Sequence, residues 1–153
     1  MADYNEELSE LHQHVVQTEL NLSATIDDMG WILFTDSDLG EMIINLREYN
    51  PEFMQLTGVV FADPKNTRAR EDLLRACNSA NCELDSSQHL ARLKVSEKHN
   101  VVRASVAMVL AAEGRMPDEA LLRTLIVRAM SSIKAAAKEF TDALQKLGSP
   151  PTA

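Results

Sequence analysis

The cysteines and histidines carry the most reactive side chains of this sequence, and their spacing does not assemble a site. Cys77 and Cys82 are five residues apart on a predicted helix, where side chains point roughly 140° away from each other. His12 and His14 are two residues apart on another predicted helix, so their rings point about 200° apart and cannot share a metal ion. We therefore expect reduced thiols without a redox role and structural or solvated histidines.

Motifs for catalysis are missing from the sequence as well. A nucleophile and base formed by Cys77 with His89 or His99 has no local motif to support it. The five glycines are scattered and form no phosphate-binding loop, and neither a nucleophile elbow nor a His-Glu-x-x-His zinc helix occurs. The sequence predicts a protein without enzymatic activity that requires no cofactor and no metal.

Residues 36–41 resemble the start of a calcium-binding loop but depart from that pattern twice. Glu41 occupies the sixth position, where glycine is required, and Arg47 occupies the twelfth, where a bidentate glutamate belongs. A solvated hairpin turn is the better interpretation of this segment.

Charge is distributed unevenly along the chain. Residues 1–66 contain 13 acids and two bases, which gives −11, whereas residues 67–153 contain 10 acids and 13 bases, which gives +3 and a total of −8. Nucleic-acid affinity depends on cationic contacts to phosphate, so the acidic front half disfavours a nucleic-acid partner. This acidic field either keeps the protein in solution or steers a basic partner towards it.

The sequence predicts a cytoplasmic protein with no membrane association. Its longest apolar run, residues 104–112, is shorter than the about 20 residues that cross a bilayer. The first ten residues are acidic and lack the basic start and apolar block of a signal peptide.

The front half reads as one helix followed by three strands. A helix that begins after Asp3 carries a single apolar stripe, as expected for a helix packed on a larger body. Apolar runs within residues 24–35, 42–46 and 53–62 are separated by turn residues. They predict three short strands in an antiparallel meander.

The second half reads as helix, two strands and helix. Asp63 and Pro64 indicate a helix start. Alternation over residues 89–95 and 101–110 predicts two strands, of which the second is central or covered on both faces. The clearest pattern is a long helix over residues 117–146, with apolar residues at intervals of three and four.

These elements predict an α+β fold with helices packed on an antiparallel sheet, in the order α-β-β-β-α-β-β-α. We expect a single domain over residues 1–147 and a flexible C-terminal tail over residues 148–153.

The element order resembles two known groups of proteins, chiefly over the stretch from Leu73 to Leu144. A helix containing Asn78 and Asn81 leads into two long strands, and Gly114 precedes the long C-terminal helix. This arrangement is similar to the YbjN-like family of bacterial regulators and to the class I type III secretion chaperones. The resemblance implies a small acidic protein, usually a dimer, without enzymatic activity. It also implies a partner protein: secretion chaperones bind an extended segment of a client, and YbjN-like proteins act in regulation and stress responses.

We therefore predict a non-enzymatic module that forms a homodimer and binds a partner protein. Two alternatives stay open: a small-ligand-binding protein or enzyme whose site no motif marks, and a weakly nucleic-acid-associated regulator that uses the basic second half. The residues predicted to form the partner-binding or dimer face are Met42, Met54, Val101, Arg103, Ala107, Val109, Ile133 and Phe140.

Overall fold

A computed structural model describes residues 3–47 and 50–148, which form three helices and one six-stranded sheet. The helices are α1 (Tyr4–Thr18), α2 (Arg70–Ser86) and α3 (Glu119–Lys146). The strands are β1 (Ala24–Ile26), β2 (Ile32–Asp36), β3 (Gly40–Leu46), β4 (Phe53–Ala62), β5 (Arg92–Val95) and β6 (Val101–Val109). The predicted α+β fold is confirmed. Residues 149–153, most of the predicted tail, lie outside the described residues.

The sheet is antiparallel throughout, in the strand order β1-β2-β3-β4-β6-β5. The first four strands form the predicted meander. α2 then carries the chain past β4 to the far edge, where β5 and β6 form a hairpin. β6 therefore lies between two strands, which agrees with its two-sided apolar pattern.

The sheet has one strand more than predicted, because residues 24–35 form a hairpin and not a single strand. Asp27 Oδ1 accepts hydrogen bonds from the backbone N–H groups of Met29 and Trp31, each at 2.9 Å. Gly30 completes this turn at φ +79°, a conformation that glycine adopts without steric strain. The element order is therefore α-β-β-β-β-α-β-β-α.

The second helix begins at Arg70, and its predicted start at Asp63 and Pro64 was wrong. The Asp63 carboxylate accepts hydrogen bonds from the backbone N–H groups of Arg68 at 2.8 Å and Thr67 at 3.0 Å. These hydrogen bonds lower the pKa of Asp63 to about 2, and the bond from the Arg68 N–H has the largest effect. The carboxylate thus closes a loop before the helix, because the backbone N–H groups that it accepts from belong to residues that precede the helix.

The core lies between one face of the sheet and the helices. Alternate residues of β3, β4 and β6 point towards the helices and are buried, whereas the residues between them are partly exposed.

α3 packs on α2, β4 and β6, and its 28 residues extend about 42 Å. The long C-terminal helix is confirmed, and it begins at the predicted acidic start, where Asp118 Oδ2 accepts a hydrogen bond from Leu121 N at 3.0 Å. Within residues 3–47 and 50–148, no helix has the length and hydrophobicity needed to cross a bilayer.

Candidate functional site

Four of the eight residues predicted for a contact face belong to the core. Met42 and Met54 are 0% exposed, and Ile133 and Phe140 are 1% exposed. Side chains alternate between the faces of a strand, and both methionines fall on the face that the helices cover. Their side chains have no surface to offer a partner, so assigning these four residues to a contact face was wrong.

The other four, Val101, Arg103, Ala107 and Val109, lie on β6 and alternate with its buried residues. Val109 is 68% exposed. They belong to the sheet face that no helix of the described chain covers, which we call the open sheet face. Its central residues are Leu33, Glu41, Ile43, Phe53, Gln55, Thr57, Val59, Arg103, Ser105, Ala107 and Val109.

Two cations face each other at one side of the open sheet face. Arg103 of β6 is directly opposite Lys94 of β5, and like charges in this position repel. Neither side chain forms a salt bridge among the described residues. An acidic group from outside this chain would relieve their repulsion.

A second surface is a groove of about 710 Å³ between α1 and the end of the sheet. We call it the α1 groove. It is lined by Asn5, Glu6, Ser9 and Glu10 of α1, by residues 26–31 of the β1–β2 turn, by residues 45–47 at the end of β3, and by Pro51. No local pattern of the sequence indicates this groove, because none shows that α1 lies beside the β1–β2 turn.

A close contact joins α1 to the β1–β2 turn, and both line the α1 groove. Ser9 Oγ donates a hydrogen bond to the backbone oxygen of Gly30 at 2.8 Å. A Cβ added at Gly30 would lie 3.2 Å from that same Oγ, closer than ordinary van der Waals contact. Glycine therefore serves two purposes here, since it permits the positive φ and lets the helix approach the turn.

Glu52 anchors the first turn of α1 near Pro51. Its Oε1 accepts hydrogen bonds from Tyr4 Oη at 2.9 Å and from the backbone N–H of Gly114 at 2.6 Å. The N–H of Gly114 is the main cause that lowers the pKa of Glu52. Burial, reinforced by the hydrogen bond to Glu52, raises the pKa of Tyr4 to about 12. The phenol thus remains a hydrogen-bond donor at neutral pH and holds α1 in place.

The α1 groove combines apolar area with negative charge. Its apolar lining includes Ile26, Met29 and Trp31, and Met29 is 70% exposed. Its other side chains include four carboxylates and one guanidinium, those of Glu6, Glu10, Asp27, Asp28 and Arg47. Such a surface can hold a polymer that brings apolar and basic groups. No nucleophile is paired with a base among the described residues that line it.

The cysteines and histidines do not form a reactive cluster among the described residues. Both cysteines are free; Cys77 is buried and Cys82 is exposed. Burial raises the pKa of Cys77 to about 11, which leaves little thiolate at neutral pH. His12 is buried while His14 is exposed. Within the same ranges, no group of three or more His, Cys, Asp or Glu side chains is arranged to hold a metal ion.

Known proteins resemble this chain in fold but not in sequence. No protein-family profile and no curated protein sequence matches the chain. A chain of the ExsC–ExsE complex superposes with a TM-score of 0.64 at 13% identity, covering 99% of this chain and 100% of that one. A chain of the HopA1–SchA chaperone–effector complex superposes with a TM-score of 0.59 at 14% identity, covering 93% of this chain and 99% of that one. These similarities extend over nearly the whole chain and confirm the predicted fold, that of the type III secretion chaperones.

Proposed function

We propose that this protein is a non-enzymatic chaperone or regulator that holds an extended segment of a partner protein in the α1 groove. The observation that carries the proposal is the apolar lining of that groove, formed by the exposed Met29 with the half-buried Trp31 and Ile26. The occurrence of a similar fold in a chaperone–effector complex supports it.

The edge of the sheet beside the groove limits how a segment can bind. β1 is an edge strand, and an open edge can accept a further strand. The backbone oxygen of Ala24 already accepts hydrogen bonds from Gln13 Nε2 at 2.9 Å and Gln17 Nε2 at 3.0 Å. A segment therefore cannot pair along the whole of β1, so its affinity must come mainly from side chains buried in the groove.

Trp31 provides the test, because it is the only tryptophan of the chain and lines the groove. We expect synthetic peptides of about 12 residues with an apolar centre, which extend to roughly 40 Å, to shift Trp31 emission on binding. Met29→Ser should weaken binding roughly tenfold, because a buried apolar side chain contributes about 1.5–3 kcal/mol. Leu90→Ser is the matched control, since Leu90 is 64% exposed but lies outside the groove. Equal affinity of both variants for every peptide would contradict the proposal.

We also propose that the protein forms a homodimer through the open sheet face. Glu41 and Arg103 lie on β3 and β6, which flank β4 on either side, and Val59 of β4 is opposite Arg103. A two-fold axis along β4, between two copies, would place Glu41 of each copy opposite Arg103 of the other. The face is thus self-complementary in charge, around a centre that includes Ile43 and Thr57.

Sedimentation equilibrium tests the homodimer directly. We expect a dimer at micromolar concentration, and a monomer under these conditions would contradict this part of the proposal.

A cytoplasmic location and kinship with the YbjN-like regulators also remain proposals. The resemblance around Asn78 and Asn81 supports that kinship.

A further inference from the structure

We infer that the α1 groove selects a segment in which basic residues flank an apolar anchor. This inference rests on the proposed function, because it names the chemistry of the segment that the same groove holds.

Uncompensated carboxylates on both walls of the groove carry the inference. Glu6 and Glu10 are four residues apart on α1 and therefore lie on one face of the helix, where like charges repel. Asp28 lines the same groove from the other element, the β1–β2 turn. None of the three forms a salt bridge within the described part of the chain. A cationic side chain placed between the walls would be attracted from both sides.

The remaining charges of the groove show where the basic residues should lie. Asp27 adds a further carboxylate on the turn, with Oδ1 bonded to the turn's own N–H groups. Among the described residues of the lining, Arg47 is the one base; it follows β3, and its guanidinium carbon lies 4.7 Å from the centre of the Phe53 ring. Basic residues of a bound segment should therefore lie towards α1 and the turn, and away from Arg47.

The apolar lining explains why charge alone is insufficient. Ile26, Met29 and Trp31 lie on the turn side of the groove, near the acidic positions. An apolar anchor can bury against them, and a neighbouring Arg or Lys can also stack on the face of Trp31. The same short stretch of a partner thus needs both kinds of residue.

Two synthetic peptides with the same apolar centre test this selection, one flanked by arginines and the other by glutamates. We expect the arginine peptide to bind at least about tenfold more tightly at low salt, because several weak charge pairs act together. The difference should shrink as NaCl rises from about 0.05 M to about 0.5 M, since salt screens exposed charges. The readout is the shift of Trp31 emission during titration.

Reversing the charge of groove residues tests whether the preference for arginine flanks comes from the groove. Glu10→Lys combined with Asp28→Lys should abolish or invert the preference for arginine flanks. The matched control is Glu83→Lys combined with Glu97→Lys, which makes the same change in net charge at exposed positions outside the groove. We expect this control to keep most of the preference.

The outcomes separate this inference from the proposed function. If both peptides bind wild-type protein equally, the charge selection is overturned while groove binding stands. If the control reversal acts as strongly as the groove reversal, the selection comes from the overall field and the inference is also overturned. If neither peptide binds, the proposed function and the inference fail together.

Discussion

The ring of His12 is a titratable group enclosed by the core. Its Nδ1 lies 2.8 Å from the backbone oxygen of Leu8. Its Nε2 is buried and has no hydrogen-bond partner among the described residues. Burial lowers the pKa of His12 to about 4, against a smaller opposing effect of the hydrogen bond to Leu8. The ring is therefore neutral at pH 7, and protonation must disturb the packing of α1.

This burial predicts a loss of stability in mild acid. The unfolded chain takes up the His12 proton below pH 6.5, whereas the folded chain does so only near pH 4. The free energy of unfolding should therefore fall as pH drops through this window, with about 3 kcal/mol of the fall due to His12. Urea denaturation at about pH 7, 5 and 4 measures the change. His12→Gln should show a correspondingly smaller fall, and an unchanged pH dependence in that variant would contradict the assignment.

At the scale of elements, the β1–β2 hairpin and α1 are held together at Gly30. Gly40, in the β2–β3 hairpin, has almost the same backbone conformation, with φ +77° against φ +79° for Gly30. A Cβ at Gly40 would meet nothing within 4 Å, whereas a Cβ at Gly30 would meet Ser9 Oγ. Substitutions of these two glycines therefore distinguish the effect of backbone strain from the effect of contact with α1.

We expect both Gly30→Ala and Gly40→Ala to lower the free energy of unfolding by about 1–2 kcal/mol, because alanine is strained at positive φ. Only Gly30→Ala should also shift Trp31 emission in the free protein and weaken peptide binding, since it pushes the turn away from α1. Emission spectra and titrations of both variants check this. An equal spectral shift in Gly40→Ala would show that the contact with Ser9 does not shape the groove.

The edge of the sheet at β5 is protected by a side chain of α2. Asn81 Nδ2 donates a hydrogen bond to the backbone oxygen of Leu93 at 3.1 Å, and the backbone N–H of Leu93 donates to Asn81 Oδ1 at 2.9 Å. The amide side chain thus replaces the neighbour that an edge strand lacks. This contact gives a physical role to the asparagine-containing helix on which the sequence resemblance partly rested.

Asn81→Ala should lower the free energy of unfolding by about 1–3 kcal/mol, because it leaves both backbone groups of Leu93 without partners. The Leu93 amide should also exchange with solvent much faster, which hydrogen exchange followed by NMR would detect. Asn78→Ala serves as the control, since Asn78 is exposed on the same helix and should change stability by less than about 0.5 kcal/mol. Similar effects of the two substitutions would contradict this role.

At the scale of the whole molecule, the proposed two-fold contact predicts a reciprocal charge exchange. Glu41→Arg and Arg103→Glu should each weaken self-association at least about tenfold, because each variant faces its own copy with like charges. An equimolar mixture of the two variants should recover the dimer, since both contacts then pair opposite charges. Analytical ultracentrifugation of each variant and of the mixture distinguishes these states. A mixture as dissociated as its components would exclude the Glu41–Arg103 contact.

Several parts of the molecule could be predicted from the sequence because they depend on neighbouring residues. The three- and four-residue intervals of α3 and the alternation of β6 report which sides of these elements are apolar, and both elements have the predicted type. The acidic composition of residues 1–66 likewise agrees with the carboxylates of the α1 groove, which all belong to that half of the chain. Local signals were least reliable where a side chain bonds across a loop, as Asp63 does.

Which apolar faces remain exposed was decided only by the tertiary structure. Met42 and Val109 both lie on apolar strands, yet one is 0% and the other 68% exposed, because the described helices all pack on one side of the sheet. The α1 groove likewise depends on long-range packing, since α1 meets the β1–β2 turn through Ser9 and Gly30, which are 21 residues apart. Periodicity encodes the amphipathic character of each element, whereas the choice of partner for each face is made by long-range packing, which no local window of sequence contains.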